Sequence, residues 1–166
     1  MFRNIIKAGI ARPAAMALLA AGALGTFGGT APVRAGECPA DRISVNSNRP
    51  GETRGRGVTD SILATVQLSE EPAGIQGRQL RLRRLVVEPG GIVPWHSHGN
   101  RPAIIYIVEG QVTEYAATCA IPILHRAGET AVERNPTTHW WRNTGDRPVV
   151  LLSADLFPTT EDAHVM

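Results

Sequence analysis

The chain has 166 residues, of which 43% are hydrophobic and 19% charged, and its formal charge is +2. This length holds one domain and a leader, which excludes a multidomain enzyme. Two cysteines are too few for a disulfide scaffold, so a packed core must stabilise the fold.

The first 35 residues have the layout of a secretory signal peptide. They hold four basic residues and no acidic one, an apolar stretch from Ala14 to Phe27, and the small-residue site Val33-Arg34-Ala35. The apolar run is shorter than the ~20 residues of a membrane span. We expect cleavage after Ala35 and an exported product, periplasmic or secreted, with no membrane anchor.

The net charge of the remaining chain indicates which binding partners it favours. Removing four of the 17 basic residues leaves 13 against 15 acidic residues, a formal charge of −2. Nothing in this balance favours nucleic acid or an anionic membrane as a partner.

Residues 36–57 are predicted to form an irregular arm, because Ile43 to Gly57 are rich in Asn, Ser, Arg, Pro and Gly. Cys38 lies in this arm and Cys119 in the middle of the chain. In an oxidising compartment the two can form a disulfide, and two unrelated thiols are the alternative. Closing a loop of about 80 residues would stabilise the fold by roughly 4 to 5 kcal/mol in the chain-entropy model.

Residues 58–166 are predicted to form one all-β domain. Short apolar runs alternate with turn residues and have no period of 3.6, which favours a sandwich or barrel of short strands. The breaks are Pro89-Gly90-Gly91, Glu109-Gly110, Ala127-Gly128 and the stretch from Asn143 to Asp146. The runs are Ile62–Leu68, Leu80–Val87, Ile104–Val108, Val112–Tyr115, Ile121–Leu124, Trp140–Arg142 and Val149–Leu156.

The second run begins with the alternating stretch Leu80-Arg81-Leu82-Arg83. Its alternation predicts leucines that face the core and arginines that face solvent. Arg84 interrupts this order. Either a bulge resets the register there or Arg84 takes a partly solvated rim position, which is the favoured interpretation, or Arg84 points inward as an anion-binding group.

Three histidines form the candidate metal site. His96 and His98 are two residues apart on a predicted strand, so their imidazoles share one face. His139, in a later segment, is followed four residues on by Asn143. Three neutral imidazoles suit Zn, Fe, Cu or Ni and leave coordination positions open for water or substrate.

These two segments resemble the two motifs of the cupin superfamily. The first motif runs Gly, five residues, His-x-His, three or four residues, Glu, six residues, Gly. The second runs Gly, five residues, Pro-x-Gly, two residues, His, three residues, Asn; here Arg134 and Pro136 stand at the Pro and Gly positions. Residues that match are Gly90, His96, His98 and Gly110 in the first motif, and Gly128, His139 and Asn143 in the second.

The resemblance covers roughly Leu80 to Phe157 and implies a small antiparallel β-barrel, or jelly roll. It also implies one divalent transition metal, with Fe(II) favoured and Zn, Mn, Ni or Cu as alternatives. Many members of this family pair through their sheets, so a homodimer is expected.

One departure from the family pattern limits what the resemblance implies. Ala103 stands where the family places its metal-binding glutamate. The remaining three histidines look like the set of some Fe(II) oxygenases in the family. Alternatively, Glu133 supplies the carboxylate from a neighbouring strand, as ligand or general base; the favoured interpretation is a rim carboxylate paired with Arg134 or Arg142.

Strand parity predicts which side chains surround the metal. Trp141 shares a face with His139, and Ile105 and Ile107 continue the face of Ala103, which gives an apolar pocket for a small organic ligand. His125 is a weaker candidate for the pocket, with a hydrogen-bonded core or rim histidine as the alternative.

The sequence therefore predicts an exported metal-binding cupin. The leading hypothesis is an oxidoreductase of dioxygenase type that acts on a small organic compound. The alternative is a non-enzymatic cupin that binds or senses a metal or small ligand, and the fold alone does not decide between them.

Overall fold

The computed structural model describes residues 36–47 and 51–159, so the predicted leader lies outside the described residues. Eight strands follow a short 3-10 turn at Ala40–Arg42. They are β1 Arg56–Gln67, β2 Arg78–Ser97, β3 Ala103–Glu109, β4 Gln111–Ala116, β5 Ile123–Arg126, β6 Thr130–Glu133, β7 Thr138–Arg142 and β8 Val149–Pro158. The prediction of an all-β fold is confirmed.

All strand pairs are antiparallel and belong to one sheet with the order β5-β4-β7-β2-β8-β3-β6, and β1 pairs with β2. The sheet is a nearly closed barrel of the jelly-roll kind. Its inner face carries the apolar core, which is formed by Leu85, Val87, Ile105, Ile107, Val112, Ala131, Trp141, Val149 and Leu151. Within the described ranges, no helix has the length and apolar character of a membrane span.

The long strand β2 belongs to both halves of the barrel. Its first half pairs with β8 and its second half with β7. Pro89-Gly90-Gly91, predicted as a break, lies inside this strand. Gly90 has a φ of +72°, and a Cβ on Gly91 would lie 2.7 Å from two backbone oxygens. Glycines therefore let the strand bend without ending.

The predicted orientation of the arginines on β2 is wrong. Arg81 and Arg83 are buried, whereas Leu80 and Leu82 are 43% and 36% exposed. Alternation fixes which residues share a face, but the partners of that face decide which side is inside. Here Asp155 on β8 is fully buried and pairs with both arginines, so the charged face turns inward.

Arg84 belongs to the outer face and is exposed. It follows the same alternation as its neighbours, since Arg83 and Leu85 on either side are both buried. The bulge of this region lies in β1, between Ile62 and Ala64. Neither the bulge at Arg84 nor its inward orientation is found.

The disulfide between Cys38 and Cys119 is confirmed. Its two Cα atoms lie 5.8 Å apart across a sequence separation of 81. Ile43 adds a β-bridge to Cys119, and the Ser44 N–H donates to the Thr118 carbonyl. The N-terminal arm is therefore fixed along the loop that follows β4.

Candidate metal centre

Two neighbouring strands bring the three predicted histidines together. His96 on β2 is the register partner of His139 on β7, and His98 directly follows β2. The Nε2 atom of His96 lies 2.9 Å from that of His98 and 3.3 Å from that of His139. The three imidazoles thus meet at their Nε2 atoms inside the barrel.

A carboxylate completes this group, and it comes from Glu133 on β6. Its oxygens lie 3.0 Å from Nε2 of His98 and 3.3 Å from Nε2 of His139. Glu133 is 4% exposed, so the favoured interpretation, a rim carboxylate paired with Arg134 or Arg142, is wrong. The expected set of three histidines without an acid is corrected to three histidines and one glutamate.

The register explains why Glu133 reaches this position. Ala103 on β3 is the direct cross-strand partner of Glu133, and both side chains are buried on the inner face. A methyl group at Ala103 leaves space for a carboxylate that arrives from the adjacent strand. The acid is therefore supplied from β6 instead of from the position on β3 where the family motif places it.

The other ring nitrogens decide the protonation of these histidines. Nδ1 of His96 lies 2.8 Å from the Pro94 carbonyl, and Nδ1 of His98 lies 2.8 Å from the Arg101 carbonyl. Nδ1 of His139 meets the carboxylate of Glu114. Carbonyl and carboxylate oxygens only accept, so Nδ1 of His96 and of His98 carries the hydrogen. The Trp141 indole nitrogen also lies 3.1 Å from Nδ1 of His139, but the shorter contact to the Glu114 carboxylate favours a hydrogen on that Nδ1 as well. Each ring, when neutral, then presents an Nε2 lone pair to the centre.

The pKa values of two of these histidines move in opposite directions. Burial, together with the neighbouring His139, lowers the pKa of His96 well below its ordinary value. Burial also opposes the charged form of His139, but Glu133 and Glu114 outweigh it and raise its pKa. His96 is therefore a neutral ligand, whereas a proton competes with a metal for His139.

The donor atoms fit a single cation. The four residues His96, His98, Glu133 and His139, which we call the donor cluster, offer ligand atoms that all lie within 4.8 Å of one another. Ligands about 2.1 Å from a common ion lie roughly 3.0 to 3.4 Å apart, and the contacts above have this spacing. Buried lone pairs that face each other repel unless a cation lies between them.

Glu114 and His125 support the donor cluster from behind. The Glu114 carboxylate bridges Nδ1 of His139 and Nε2 of His125, which lies 2.8 Å away. Burial favours the neutral acid, but these two hydrogen bonds outweigh it and lower the pKa of Glu114 to about 2. His125 is thus a hydrogen-bonded core histidine, stacked on Trp141, and it lies outside the donor cluster.

The sequence analysis missed Glu114 although a signal was present. In the alternating strand β4, Glu114 shares the inner parity of Val112 and Ala116, and all three are buried. An acid at an inward position of a half-buried strand predicts a buried partner.

A cavity of about 310 Å³ lies beside the donor cluster, which is the size of a site for a small molecule. Trp141 and Ile105 line it, together with His96, His98 and Glu133. Ile107, also expected in the pocket, is fully buried in the apolar core. Gly55 to Val58 and Asp60, from the arm and β1, also line this cavity.

Three arginines surround one buried carboxylate next to this cavity, and two of them, Arg83 and Arg101, line it. Arg81 forms two hydrogen bonds to Asp155, of 3.0 and 2.8 Å, and Arg83 and Arg101 lie 3.3 and 3.5 Å from the same carboxylate. Burial and the neighbouring Arg83 lower the pKa of Arg101. We call Arg81, Arg83, Arg101 and Asp155 the arginine cluster. Sequence spacing did not predict this cluster, because Arg101 and Asp155 lie far along the chain from Arg81 and Arg83.

Comparison with known proteins identifies relatives of this barrel. The family model described as "Cupin domain" matches residues 83–155. Nectarin-1 of Nicotiana langsdorffii x Nicotiana sanderae is 27% identical over 118 residues, which cover 69% of this chain and 50% of the relative. Germin-like protein subfamily 2 member 2 of Arabidopsis thaliana is 28% identical over 88 residues, which cover 51% and 40%. This chain thus spans about half the length of the curated relatives it matches.

A solved structure agrees in fold. The crystal structure of a predicted oxalate decarboxylase from Thermotoga maritima has 20% sequence identity and a TM-score of 0.50. The match covers 69% of this chain and 90% of that protein.

Proposed function

Because residues 83–155 make this chain a member of the cupin superfamily, we propose that it is a metal-dependent cupin whose donor cluster holds one divalent transition metal. The observation that carries this proposal is the orientation of the imidazoles. Each Nδ1 is bonded to an acceptor, so in the neutral rings three Nε2 lone pairs converge with one carboxylate. A metal ion satisfies all four donors at once, whereas a proton bridges only two of them.

We further propose that the site is an oxidoreductase centre for a small organic molecule. When bound there, Fe(II) would supply redox chemistry with dioxygen, and any of the alternatives Zn, Mn, Ni or Cu would polarise a substrate oxygen. The chain itself contributes the position of the ligands and the lining of the cavity. His96 and His98 border the cavity, and Trp141 and Ile105 give it apolar lining. Glu133 offsets one positive charge of the ion.

The proposed export and pairing complete this picture. A disulfide between Cys38 and Cys119 suits an oxidising compartment, in line with an exported protein. The outer face of β3 and β6 carries apolar side chains, with Ile104 55% and Val132 64% exposed and adjacent in register. A second copy of the chain would cover this face.

Metal analysis tests the central proposal. We expect about one divalent transition metal ion, with Fe favoured, per wild-type chain purified without a tag, and much less in His98→Ala or His139→Ala, because each substitution removes one of the four ligands. Glu133→Gln should bind more weakly, while Glu109→Gln, an exposed acid at the end of β3, serves as the matched control. A wild type that takes up no metal after loading with Fe, Mn, Ni, Cu and Zn would refute the proposal.

Activity separates an enzyme from a binding protein. The metal-loaded wild type should consume oxygen with a small organic substrate, and His98→Ala should not. Stoichiometric metal without turnover across phenols, diketones, thiols and carboxylic acids would favour the binding or sensing function instead.

Light scattering tests the pairing. Ile104→Glu places a charge in the apolar face and should convert a dimer to monomers. Ile75→Glu, at an exposed apolar position between β1 and β2, should leave the mass unchanged. A monomeric wild type would contradict the proposed pair.

A further inference from the structure

The cavity beside the donor cluster has a second polar region. Arg83 and Arg101 line the same cavity as His98 and Glu133, and the rest of the wall is mainly apolar. The clusters are joined through one row of the sheet, because Ala103 pairs with Glu133 on one side and with Asp155 on the other. A small molecule that fills this cavity touches both.

The arginine cluster has more donors than acceptors. Each guanidinium presents several N–H groups in a planar fork, yet three of them share the single carboxylate of Asp155. Arg81 is the best satisfied, with two short bonds to Asp155 and the Phe157 ring 3.9 Å from its guanidinium carbon. Arg83 has Asp60 and Ser153 as further partners.

Arg101 is the least satisfied of the three. Its side chain is 5% exposed, and its contact to Asp155 is 3.5 Å long. The Nε–H groups of Arg101 and Arg83 are both buried without an acceptor among the described residues. A buried guanidinium donor without an acceptor is costly, so an additional anion near these groups would stabilise the cluster.

The charge balance around the cavity also favours an additional anion. Three guanidiniums stand against four carboxylates, those of Asp60, Asp155, Glu133 and Glu114 behind His139. A divalent cation in the donor cluster then leaves one uncompensated positive charge. This charge balance depends on the proposed metal. The observation that the Nε–H groups of Arg83 and Arg101 lack an acceptor among the described residues does not depend on it.

We propose that Arg101, assisted by Arg83, forms an anion subsite that receives the carboxylate of a small organic acid. The apolar body of this acid would lie against Ile105, Leu151 and Trp141, which line the same cavity. This inference deepens the proposed function, since it assigns the substrate class of the same site: a small carboxylic acid with an apolar body, held beside the metal.

Binding of matched acids and amides tests the subsite. The probes are benzoate and phenylacetate, with benzamide and phenylacetamide as neutral controls, titrated by calorimetry into Zn-loaded and into metal-free protein. We expect the acids to bind about tenfold or more tightly than the amides in both forms, because a charge-assisted hydrogen bond exceeds a neutral one. A titration with sodium chloride at the same ionic strength measures unspecific anion binding.

Two variants assign the effect to the cluster. Arg101→Gln should lower the affinity for the acids about tenfold and leave that for the amides unchanged, whereas Arg101→Lys should keep part of the preference. Arg84→Gln, an exposed arginine on the strand that carries Arg83, is the matched control and should bind like the wild type. Thermal melting and metal content identify any variant that has lost its fold.

Each outcome bears on the subsite separately from the metal. Equal binding of acids and amides, unchanged acid binding in Arg101→Gln, or no binding of any probe to the wild type would overturn the subsite. If the wild type binds no metal but prefers the acids in an Arg101-dependent way, the proposed metal function fails and the subsite stands. If Arg101→Gln keeps its metal and loses the preference, both are supported.

Discussion

The barrel contains two buried polar clusters that are built in opposite ways. In the donor cluster every Nδ1–H has an acceptor and the Nε2 lone pairs face each other. In the arginine cluster the N–H donors exceed the acceptors, and two Nε–H groups have none within the described part of the chain. The unsatisfied groups of the first cluster suit a cation and those of the second suit an anion, so each cluster indicates the charge of the ligand that would bind there.

The comparison also concerns stability. A buried group that is satisfied only by a ligand lowers the stability of the ligand-free fold. Asp155, by contrast, is satisfied by the protein alone and joins strands β2 and β8 through Arg81. The donor cluster therefore gains the most stability when its ligand binds. Asp155, at the centre of the arginine cluster, already stabilises the barrel without a ligand.

Removing the shared carboxylate should have the largest effect. Asp155→Asn leaves three buried guanidiniums without a common counter-charge and should lower the free energy of unfolding by about 3 to 5 kcal/mol. Denaturant unfolding measures this, with Asp146→Asn, at an exposed turn position, as the control. The folded variant should still bind metal. A loss below 1 kcal/mol would mean that the two clusters do not differ in this way.

Removing the disulfide should change stability without touching either cluster. The double variant Cys38→Ser/Cys119→Ser should lose about 2 to 5 kcal/mol of unfolding free energy, because the bond closes a long loop. Its metal content should equal that of the wild type, since neither cysteine is a member of the donor cluster. Equal unfolding midpoints before and after the exchange would contradict the prediction, as would two titratable thiols in the unreduced wild type.

The smallest effect is expected for a substitution of Glu114, which lies behind the donor cluster. Glu114→Gln keeps the shape but removes the charge that orients His139, and should weaken metal binding about 10- to 100-fold. Competition with a chelator of known affinity measures this. Glu129→Gln is the control, because that carboxylate accepts from the Arg126 backbone N–H and is not part of the donor cluster. An unchanged affinity would show that Glu114 does not position the ligand.

Several features of this protein could be predicted from local sequence patterns. Short apolar runs between turn residues predicted the strands, because period and turn chemistry act within a few residues. The spacing of His96 and His98 predicted their shared face for the same reason, and the two motifs indicated the barrel. The pairing of Cys38 with Cys119 followed from their number and from the expected compartment.

Other features depended on which strands become neighbours. Alternation along Leu80 to Arg83 was right, but its phase was wrong, because the buried partner Asp155 lies more than 70 residues away. Glu133 belongs to the donor cluster because β6 pairs with β3, and Arg101 enters the cavity wall through a loop with no pattern of its own. Sequence determined the period of each strand and the ligand types; only the tertiary structure decided which faces meet, because cross-strand contacts depend on register over long sequence separations.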